Sequence, residues 1–194
     1  FDINEEGMDQ MMSDISSMGG ELFVMDDGWF GDKYPRKTDN SSLGDWVVDK
    51  NKLPNGVPGL VANAKKHGVK FGIWIEPEMT NSVSELYEKH PDWVVQAPGR
   101  DLKMGRGGTQ LVLDMGNPKV QDFVVSVVDN LMKENPDLYY IKWDANMNIS
   151  NHGSQYLTMD KQSHLLIEYH RGFEKVCKRI REKYPDLVIQ DCAS

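Results

Sequence analysis

Short apolar runs alternate with amphipathic segments along the chain, and this alternation constrains the fold most. The first run, residues 22–25, is continuously apolar, as in a strand that is buried on both faces. The segments between the runs carry apolar residues at helical spacing. Strands and helices that alternate at this spacing predict an α/β fold with a parallel sheet. The predicted strands are residues 22–25, 69–76, 110–114, 138–143 and 187–189, and the predicted helices are residues 8–18, 57–67, 82–90, 118–134 and 161–184.

Every predicted strand ends in polar or charged residues. An open doubly wound sheet concentrates its chemistry near its switch points, whereas a (β/α)8 barrel has functional groups at the carboxyl end of strand after strand. We therefore predict a partial (β/α)8 TIM barrel, about the first five strands with their helices. Residues 1–194 would form one barrel domain that is truncated at its C-terminal side. The strand-end residues are Asp26, Asp27, Trp74, Glu76, Asp114, Lys142, Asp144, Asp191 and Cys192.

Charge and composition exclude several classes of partner. A net charge of −8 and a pI near 5.1 argue against binding to nucleic acid or to an anionic membrane. No stretch approaches the roughly 20 apolar residues of a membrane span. Cys177 and Cys192 show no CxxC spacing, so reduced thiols are expected rather than a disulfide framework. The chain begins at Phe1 rather than Met, so the sequence predicts no compartment.

Lys142 and Asp144 lie two residues apart at the end of the fourth predicted strand. Side chains alternate along a strand, so these two point to the same side. An ammonium beside a carboxylate favours the ionised form, which predicts a lowered pKa for Asp144. A low pKa suits a nucleophile or a stabiliser of positive charge better than a proton donor. A plain salt bridge at a strand end is the alternative.

Metal and cofactor chemistry is not indicated. The five histidines fall on predicted helices or loops, with no HxH or HExxH pattern, so no zinc site is predicted. A magnesium site among the strand-end carboxylates is disfavoured because Lys142 would repel a cation beside Asp144 and Trp74 would crowd it. The sequence contains no GxGxxG motif and no P-loop. We therefore expect neither a metal nor an organic cofactor.

Carboxylates combined with tryptophan, lysine and arginine favour a sugar site. Indole faces stack on pyranose rings, and charged side chains form hydrogen bonds with sugar hydroxyls. Glycosidases that retain configuration need two carboxyl groups about 5–5.5 Å apart. Asp144 suits the role of the nucleophile, but no residue of the chain is an obvious candidate for the protonated acid.

Eight short motifs follow one another along the chain. They are DDGWFG at 26–31, GDW at 44–46, KLPNG at 52–56, FGIWIEPEM at 71–79, HPDW at 90–93, LD at 113–114, YIKWD at 140–144 and DCAS at 191–194. Each motif alone would be weak, but together they are specific. In this order they resemble glycoside hydrolase family 36, the bacterial α-galactosidase (melibiase, raffinose-cleaving) family, and the resemblance runs from about residue 5 to the end of the chain.

The resemblance implies a retaining exo-α-galactosidase that removes terminal galactose from melibiose- and raffinose-type oligosaccharides by double displacement. Asp144 would be the nucleophile, and Lys142 would bind the sugar and tune Asp144. Asp26 and Asp27 would grip the axial 4-hydroxyl and the 6-hydroxyl of galactose. In the family the acid/base aspartate follows on a later strand, beyond Ser194, so the isolated fragment is expected to be inactive.

Three further side chains are candidate substrate contacts by the same resemblance. Trp74 would form one wall of the galactose subsite, and Cys192 would lie near the 2-hydroxyl. Arg106 is a third candidate, although residues 107–109 separate it from Gln110, whereas family members usually have an arginine just before this strand. Glu76 and Glu78 are expected to support the site rather than to catalyse.

Two alternatives remain open at the level of sequence. The chain could act as a non-catalytic sugar-binding fragment. It could also belong to a related α-N-acetylgalactosaminidase or raffinose-family transferase, although Cys192 near the 2-hydroxyl would leave little room for an acetamide. The expected partners are α-galactoside oligosaccharides, with no nucleic acid and no membrane. A homo-oligomer of the full-length enzyme and its location in a bacterial cytoplasm or periplasm stay open.

Overall fold

The computed structural model describes residues 1–146 and 148–193. These residues form five α-helices, six strands and three short 3-10 helices. The α-helices are α1 (Glu5–Ser17), α2 (Gly56–Lys66), α3 (Glu85–Lys89), α4 (Pro118–Glu134) and α5 (Leu165–Lys183). The strands are β1 (Leu22–Met25), β2 (Lys70–Ile75), β3 (Met79–Asn81), β4 (Gln110–Val112), β5 (Tyr140–Ala145) and β6 (Val188–Ala193). The 3-10 helices are Pro91–Trp93, Arg106–Gly108 and Met159–His164.

Four strands form one parallel sheet in the order β1-β2-β5-β6. Phe23 lies opposite Phe71, and Ile73 lies opposite Ile141. Ile73 and Ile141 are fully buried and belong to the hydrophobic core that the sheet shares with the helices. The predicted α/β class with a parallel sheet is therefore confirmed.

The prediction that residues 110–114 form a third parallel strand is wrong. β4 lies outside the parallel sheet and pairs antiparallel with β3, a strand that the sequence pattern did not predict. β2 instead pairs directly with β5. Three apolar residues in a row indicate a buried strand but carry no information about its partner. β3 was missed because it is only three residues long, follows Pro77 closely and contains two polar residues. The described residues hold four parallel strands rather than five.

Of the five α-helices in the described residues, α1, α3 and α4 begin at a residue whose side chain accepts from an N–H group of the first turn. The Asn4 side chain accepts from the Gly7 N–H at the start of α1, and the Asn117 side chain accepts from the Lys119 N–H at the start of α4. Pro118 is the first residue of α4, as predicted. The last predicted helix, residues 161–184, differs at its start, because the chain runs as a 3-10 helix to His164 and becomes α-helical at Leu165.

Candidate active site

The parallel sheet brings the carboxyl ends of β1, β2, β5 and β6 to one edge. The strand register fixes which side chains become neighbours there. Trp74 on β2 lies opposite Lys142 on β5, and Asp144 lies opposite Cys192 on β6. Asp26 follows directly after β1 at the same edge. Five of the seven predicted site residues therefore lie together at this edge, and Asp27, which follows Asp26, is the sixth.

Lys142 forms its ion pair with Asp26 and not with Asp144. Its Nζ donates to Asp26 Oδ2 at 2.8 Å. The long lysine stem crosses β2 to reach the end of β1, whereas a residue two positions further along its own strand is offset by about 7 Å. The hydrogen bond to Asp26 raises the pKa of Lys142, despite some desolvation. The predicted direct pair between Lys142 and Asp144 is therefore wrong.

Asp144 is held by hydrogen-bond donors from three strands and the following loop. Its Oδ2 accepts from Trp74 Nε1 at 3.0 Å and from Asn146 Nδ2 at 2.7 Å, and its Oδ1 accepts from the Ala145 N–H at 3.1 Å. Burial favours the neutral acid, but hydrogen bonds from Asn146, Trp74, the Cys192 thiol and the Ala145 N–H outweigh it and lower the pKa of Asp144. The predicted direction is confirmed, and its largest causes are the hydrogen bonds from neutral donors. Lys142 and Asp144 interact through their charges without forming a direct ion pair.

Cys192 is the partner of Asp144 across the β5–β6 pair. Partial burial raises the pKa of the thiol, and its hydrogen bond to the Asp144 carboxylate raises it further. The thiol is therefore protonated at neutral pH and acts as a donor to Asp144.

Glu76 is a second carboxyl group linked to Asp144 through Asn146. Its side chain is buried and its Oε1 accepts from the Asn146 N–H at 2.7 Å. Burial raises the pKa of Glu76 to about 7, and the nearby negative charge of Asp144 adds to the effect. Asn146 was missed by the sequence reasoning. A usable signal was its position, because it follows the strand two residues after Asp144 and so shares its side.

Asp27 is held by a buried arginine from the long loop after β1. Arg36 donates from Nε to Asp27 Oδ1 at 3.0 Å and from Nη2 to Asp27 Oδ2 at 2.7 Å. The guanidinium is 2% exposed and the Asp27 side chain is 16% exposed. Arg36 was missed because it lies in an irregular polar loop that has no periodicity from which a contact could be inferred.

Arg106 lies away from Asp144. Its Nε is 3.4 Å from Asp39 Oδ2, and Arg36 Nη2 is 3.4 Å from the other oxygen of the same carboxylate. The Arg106 side chain is about half exposed. Arg106 therefore lies at the periphery of the Asp27–Arg36 pair, and its role as a substrate contact stays a prediction.

Trp74 belongs to a cluster of aromatic rings behind Asp144. Its ring stacks on Phe30 with centroids 6.2 Å apart and planes 9° apart, and Trp46 lies at the same centroid distance. Trp29 Nε1 donates to the Trp74 carbonyl at 2.9 Å. Trp74 is only 2% exposed, so in this structure its clearest contribution is the hydrogen bond to Asp144.

The strand-end carboxylate Asp114 and the carboxylate Glu78, which was expected to support the site, are both used in buried internal contacts. Asp114 accepts from the Ser154 hydroxyl, which ties the loop after β5 to the protein. Glu78 accepts from Trp143 Nε1 at 2.9 Å and from the Tyr169 hydroxyl. Burial raises the pKa of both carboxyl groups. These contacts agree with a supporting rather than a catalytic role for Glu78.

A cavity of about 860 Å³ is lined by residues of α3, α4 and the loop between β1 and α2. Trp46, Trp93 and Phe123 are among its lining residues. Its lining includes none of the strand-end side chains that surround Asp144. The polar edge of the sheet, and not this cavity, is therefore the candidate site.

Over residues 1–146 and 148–193, no group of three or more His, Cys, Asp or Glu side chains is placed to hold a metal ion. In the same part of the chain, no helix has both the length and the apolar character needed to cross a bilayer.

Comparison with known proteins assigns the chain to a family. The sequence profile of the family described as Melibiase matches residues 1–194. The α-galactosidase AgaA of Geobacillus stearothermophilus is 39% identical over 193 residues, covering 100% of this chain and 26% of that protein. The chain therefore belongs to the melibiase family.

Solved structures agree with this assignment. The α-galactosidase of Lactobacillus brevis has a TM-score of 0.94 and 39% identity, covering 100% of this chain and 25% of that one. A doubly substituted AgaA of glycoside hydrolase family 36, from Geobacillus stearothermophilus and in complex with raffinose, has a TM-score of 0.93 and 38% identity, covering 100% and 26% of the two chains. This chain spans about a quarter of the length of the relatives it matches.

Proposed function

We propose that the natural protein containing this chain is a retaining exo-α-galactosidase that acts by double displacement. The observation that carries the proposal is Asp144, a carboxylate kept ionised by neutral donors at the carboxyl edge of a parallel sheet. Asp144 would attack the anomeric carbon to form a covalent galactosyl-enzyme. A low pKa suits this role because the attacking carboxylate must be ionised.

The residues around Asp144 would bind the galactose. Asp26 and Asp27 would accept hydrogen bonds from the 4-hydroxyl and the 6-hydroxyl, and Lys142 would donate to the sugar. Cys192 would face the 2-hydroxyl, because the β5–β6 register sets it beside Asp144. The named relatives are α-galactosidases, and family-36 structures have been solved with raffinose and stachyose. We therefore propose α-galactoside oligosaccharides of this kind as substrates.

We further propose that residues 1–194 form part of a catalytic (β/α)8 barrel. The four parallel strands would supply half of the eight that such a barrel needs. The acid/base carboxyl group would come from a later strand. The chain expressed alone as residues 1–194 should therefore show no turnover of p-nitrophenyl α-galactoside. Turnover that disappears on Asp144→Ala would refute this division of the catalytic groups.

The assigned role of Asp144 can be tested by chemical rescue. In the natural protein, Asp144→Ala should lower the hydrolysis of p-nitrophenyl α-galactoside by about 10⁴-fold or more. Azide should restore turnover and give β-galactosyl azide, since the small anion takes the place of the missing carboxylate and no second inversion follows. Asp122→Ala, at an aspartate whose side chain is 70% exposed on α4, is the matched control and should keep activity. If Asp144→Ala keeps its activity and forms no azide product, the proposal that Asp144 is the nucleophile is refuted.

The 2-substituent of the sugar separates galactosidase from N-acetylgalactosaminidase activity. Cys192 lies opposite Asp144 in the β5–β6 register, so its thiol would occupy the space next to the attacking oxygen. An acetamide on the neighbouring sugar carbon would crowd the thiol. A substrate panel should show a higher kcat/KM for the α-galactoside than for the α-N-acetylgalactosaminide, and the opposite order would contradict this assignment.

A further inference from the structure

Arg36 and Asp27 form a bidentate pair of the kind that fixes a carboxylate in a plane. The two parallel bonds, 3.0 Å from Nε and 2.7 Å from Nη2, engage one oxygen each. A guanidinium fork holds a carboxylate in both position and orientation, which a lysine ammonium cannot do. Asp27 is therefore held in orientation as well as neutralised.

The guanidinium itself is held from its other side. Arg36 Nη1 donates to the Ser41 carbonyl at 2.8 Å and to Asn81 Oδ1 at 3.1 Å. Its backbone carbonyl accepts from Lys52 Nζ at 2.7 Å. The guanidinium carbon also lies 5.6 Å from the centre of the Phe30 ring. A buried charge with all these contacts has little freedom to move. The loop that carries Arg36 therefore fixes the position of the guanidinium, and the guanidinium fixes the position of Asp27.

The fork leaves half of the Asp27 carboxylate available for a ligand. An ionised carboxylate offers about four lone-pair sites, and the fork uses one on each oxygen. The Asp27 side chain is 16% exposed whereas that of Arg36 is 2% exposed, so the unused side faces outward. Each oxygen can then accept one hydrogen bond, and two hydroxyls on nearby carbons of one sugar provide such a pair of donors.

We propose that Arg36 is a positioning residue that orients Asp27 to accept hydrogen bonds from two hydroxyls of one sugar, and that it thereby sets the preference for sugars that carry both. This inference rests on the proposed function, because the sugar is taken to be a galactoside. It adds a residue from the loop between β1 and α2, a segment that lies outside the regular strands and helices.

The test compares substrates that differ by one hydroxyl. The natural protein and its Arg36→Lys variant are assayed with p-nitrophenyl α-galactoside and with its 4-deoxy and 6-deoxy analogues. Lysine keeps the charge and loses the fork. The unsubstituted protein should prefer the complete galactoside over at least one deoxy analogue by about a hundredfold, as expected for a hydrogen bond to a charged group. Arg36→Lys should reduce that ratio about tenfold or more.

The ratio of the two kcat/KM values separates positioning from a purely structural effect. A variant that is only less well folded loses activity on both substrates equally, so the ratio stays constant. Arg179→Lys is the matched control, since Arg179 pairs with Asp122 at 2.8 Å on the exposed surface, and its ratio should equal that of the unsubstituted protein. An unchanged ratio for both analogues in Arg36→Lys would overturn the inference.

A second variant covers the case in which Arg36→Lys does not fold. Asp27→Asn places an amide NH2 against the guanidinium and so disrupts the fork from its other side. It should also reduce the ratio about tenfold or more, and full retention of the ratio would overturn the inference. If the unsubstituted protein has no activity on any α-galactoside, it is the proposed function that fails. If the protein is active but the ratio of kcat/KM values is the same in the variants, the proposed role of Arg36 is wrong and the proposed function stands.

Discussion

Asp144 and Asp27 are two carboxylates at the same edge of the sheet, and they are held in opposite ways. Asp144 is surrounded by neutral donors: an indole, an amide, a thiol and a backbone N–H. Asp27 is held by a guanidinium that is itself buried. Neutral dipoles stabilise a negative charge without cancelling it, whereas a guanidinium largely compensates the charge.

This difference suggests a division of labour between the two residues. A nucleophile must keep its charge available to an electrophilic carbon, which fits the environment of Asp144. A hydrogen-bond acceptor for sugar hydroxyls needs fixed geometry more than free charge, which fits the environment of Asp27. The chemistry of the donors, rather than the carboxyl group itself, distinguishes the two proposed roles.

The largest stability effect is expected at Glu76, next to the Asp144 donors. The pKa of Glu76 is raised to about 7 from the ordinary 4.5, so the folded state retains a proton that the unfolded state has lost between these pH values. Stability therefore falls as pH rises from about 4.5 to about 7, by about 3 kcal/mol in total. Glu76→Gln keeps an acceptor for the Asn146 N–H and should remove this slope.

Chemical denaturation at pH 5 and pH 8 measures how much Glu76 makes the free energy of unfolding depend on pH. The difference in free energy of unfolding between these two pH values should be about 2.5 kcal/mol smaller in Glu76→Gln than in the unsubstituted protein. Glu182→Gln, at an exposed position of α5, should leave the difference unchanged. Equal differences in all three proteins would show that Glu76 is ionised at neutral pH.

A smaller effect is expected when one neutral donor is removed from Asp144. Asn146 Nδ2 donates at 2.7 Å, and its loss in Asn146→Ala should cost about tenfold in kcat/KM. The pKa of Asp144 is lowered in the folded protein, so activity is present above it and is lost as pH falls through it. Removing a donor raises that pKa, so the acid limb of the pH profile should move to higher pH.

The pH profile of kcat/KM for the natural protein tests this expectation. Asn151→Ala is the control, because Asn151 lies in the same loop and donates to the Asp101 carbonyl instead. Its acid limb should coincide with that of the unsubstituted protein. An acid limb that stays in place in Asn146→Ala would mean that the neutral donors do not set the ionisation of Asp144.

The smallest effect is expected for the ion pair between Lys142 and Asp26. The two side chains are 25% and 63% exposed, unlike the buried Arg36–Asp27 pair. Exposed pairs contribute about 0–1 kcal/mol. Urea denaturation of Lys142→Gln should therefore show a change in unfolding free energy below about 1 kcal/mol. A loss of several kcal/mol would contradict this expectation, because only a buried ion pair such as Arg36–Asp27 is expected to contribute that much to stability.

The sequence predicted the features of the fold that depend on local pattern. The apolar runs and their polar ends placed Asp26, Trp74, Asp144 and Cys192 at strand ends, and parallel pairing then brings them to one edge. The antiparallel pairing of β3 with β4 was not predictable in this way, since a run of three apolar residues does not specify its partner.

The partners of charged side chains were harder to predict for a related reason. The Lys142–Asp26 pair depends on the strand order, which sets the distance between β1 and β5, and on the length of the lysine stem. The Arg36–Asp27 pair depends on the path of an irregular loop. Neither distance is encoded in sequence spacing. The resemblance to a family indicated the residue types of the site, but only the structure shows which donor serves which carboxylate.

Covalent trapping tests the proposed role of Asp144 most directly. A 2-deoxy-2-fluoro-α-galactosyl fluoride slows the hydrolysis of a galactosyl-enzyme, so the adduct accumulates on the attacking carboxylate. Digestion and mass spectrometry of the trapped natural protein should find the fluorogalactosyl mass on Asp144, within the peptide that contains residues 140–145. An adduct on Asp26, Asp27 or Glu76, or no adduct in a protein that the reagent inactivates, would contradict the account.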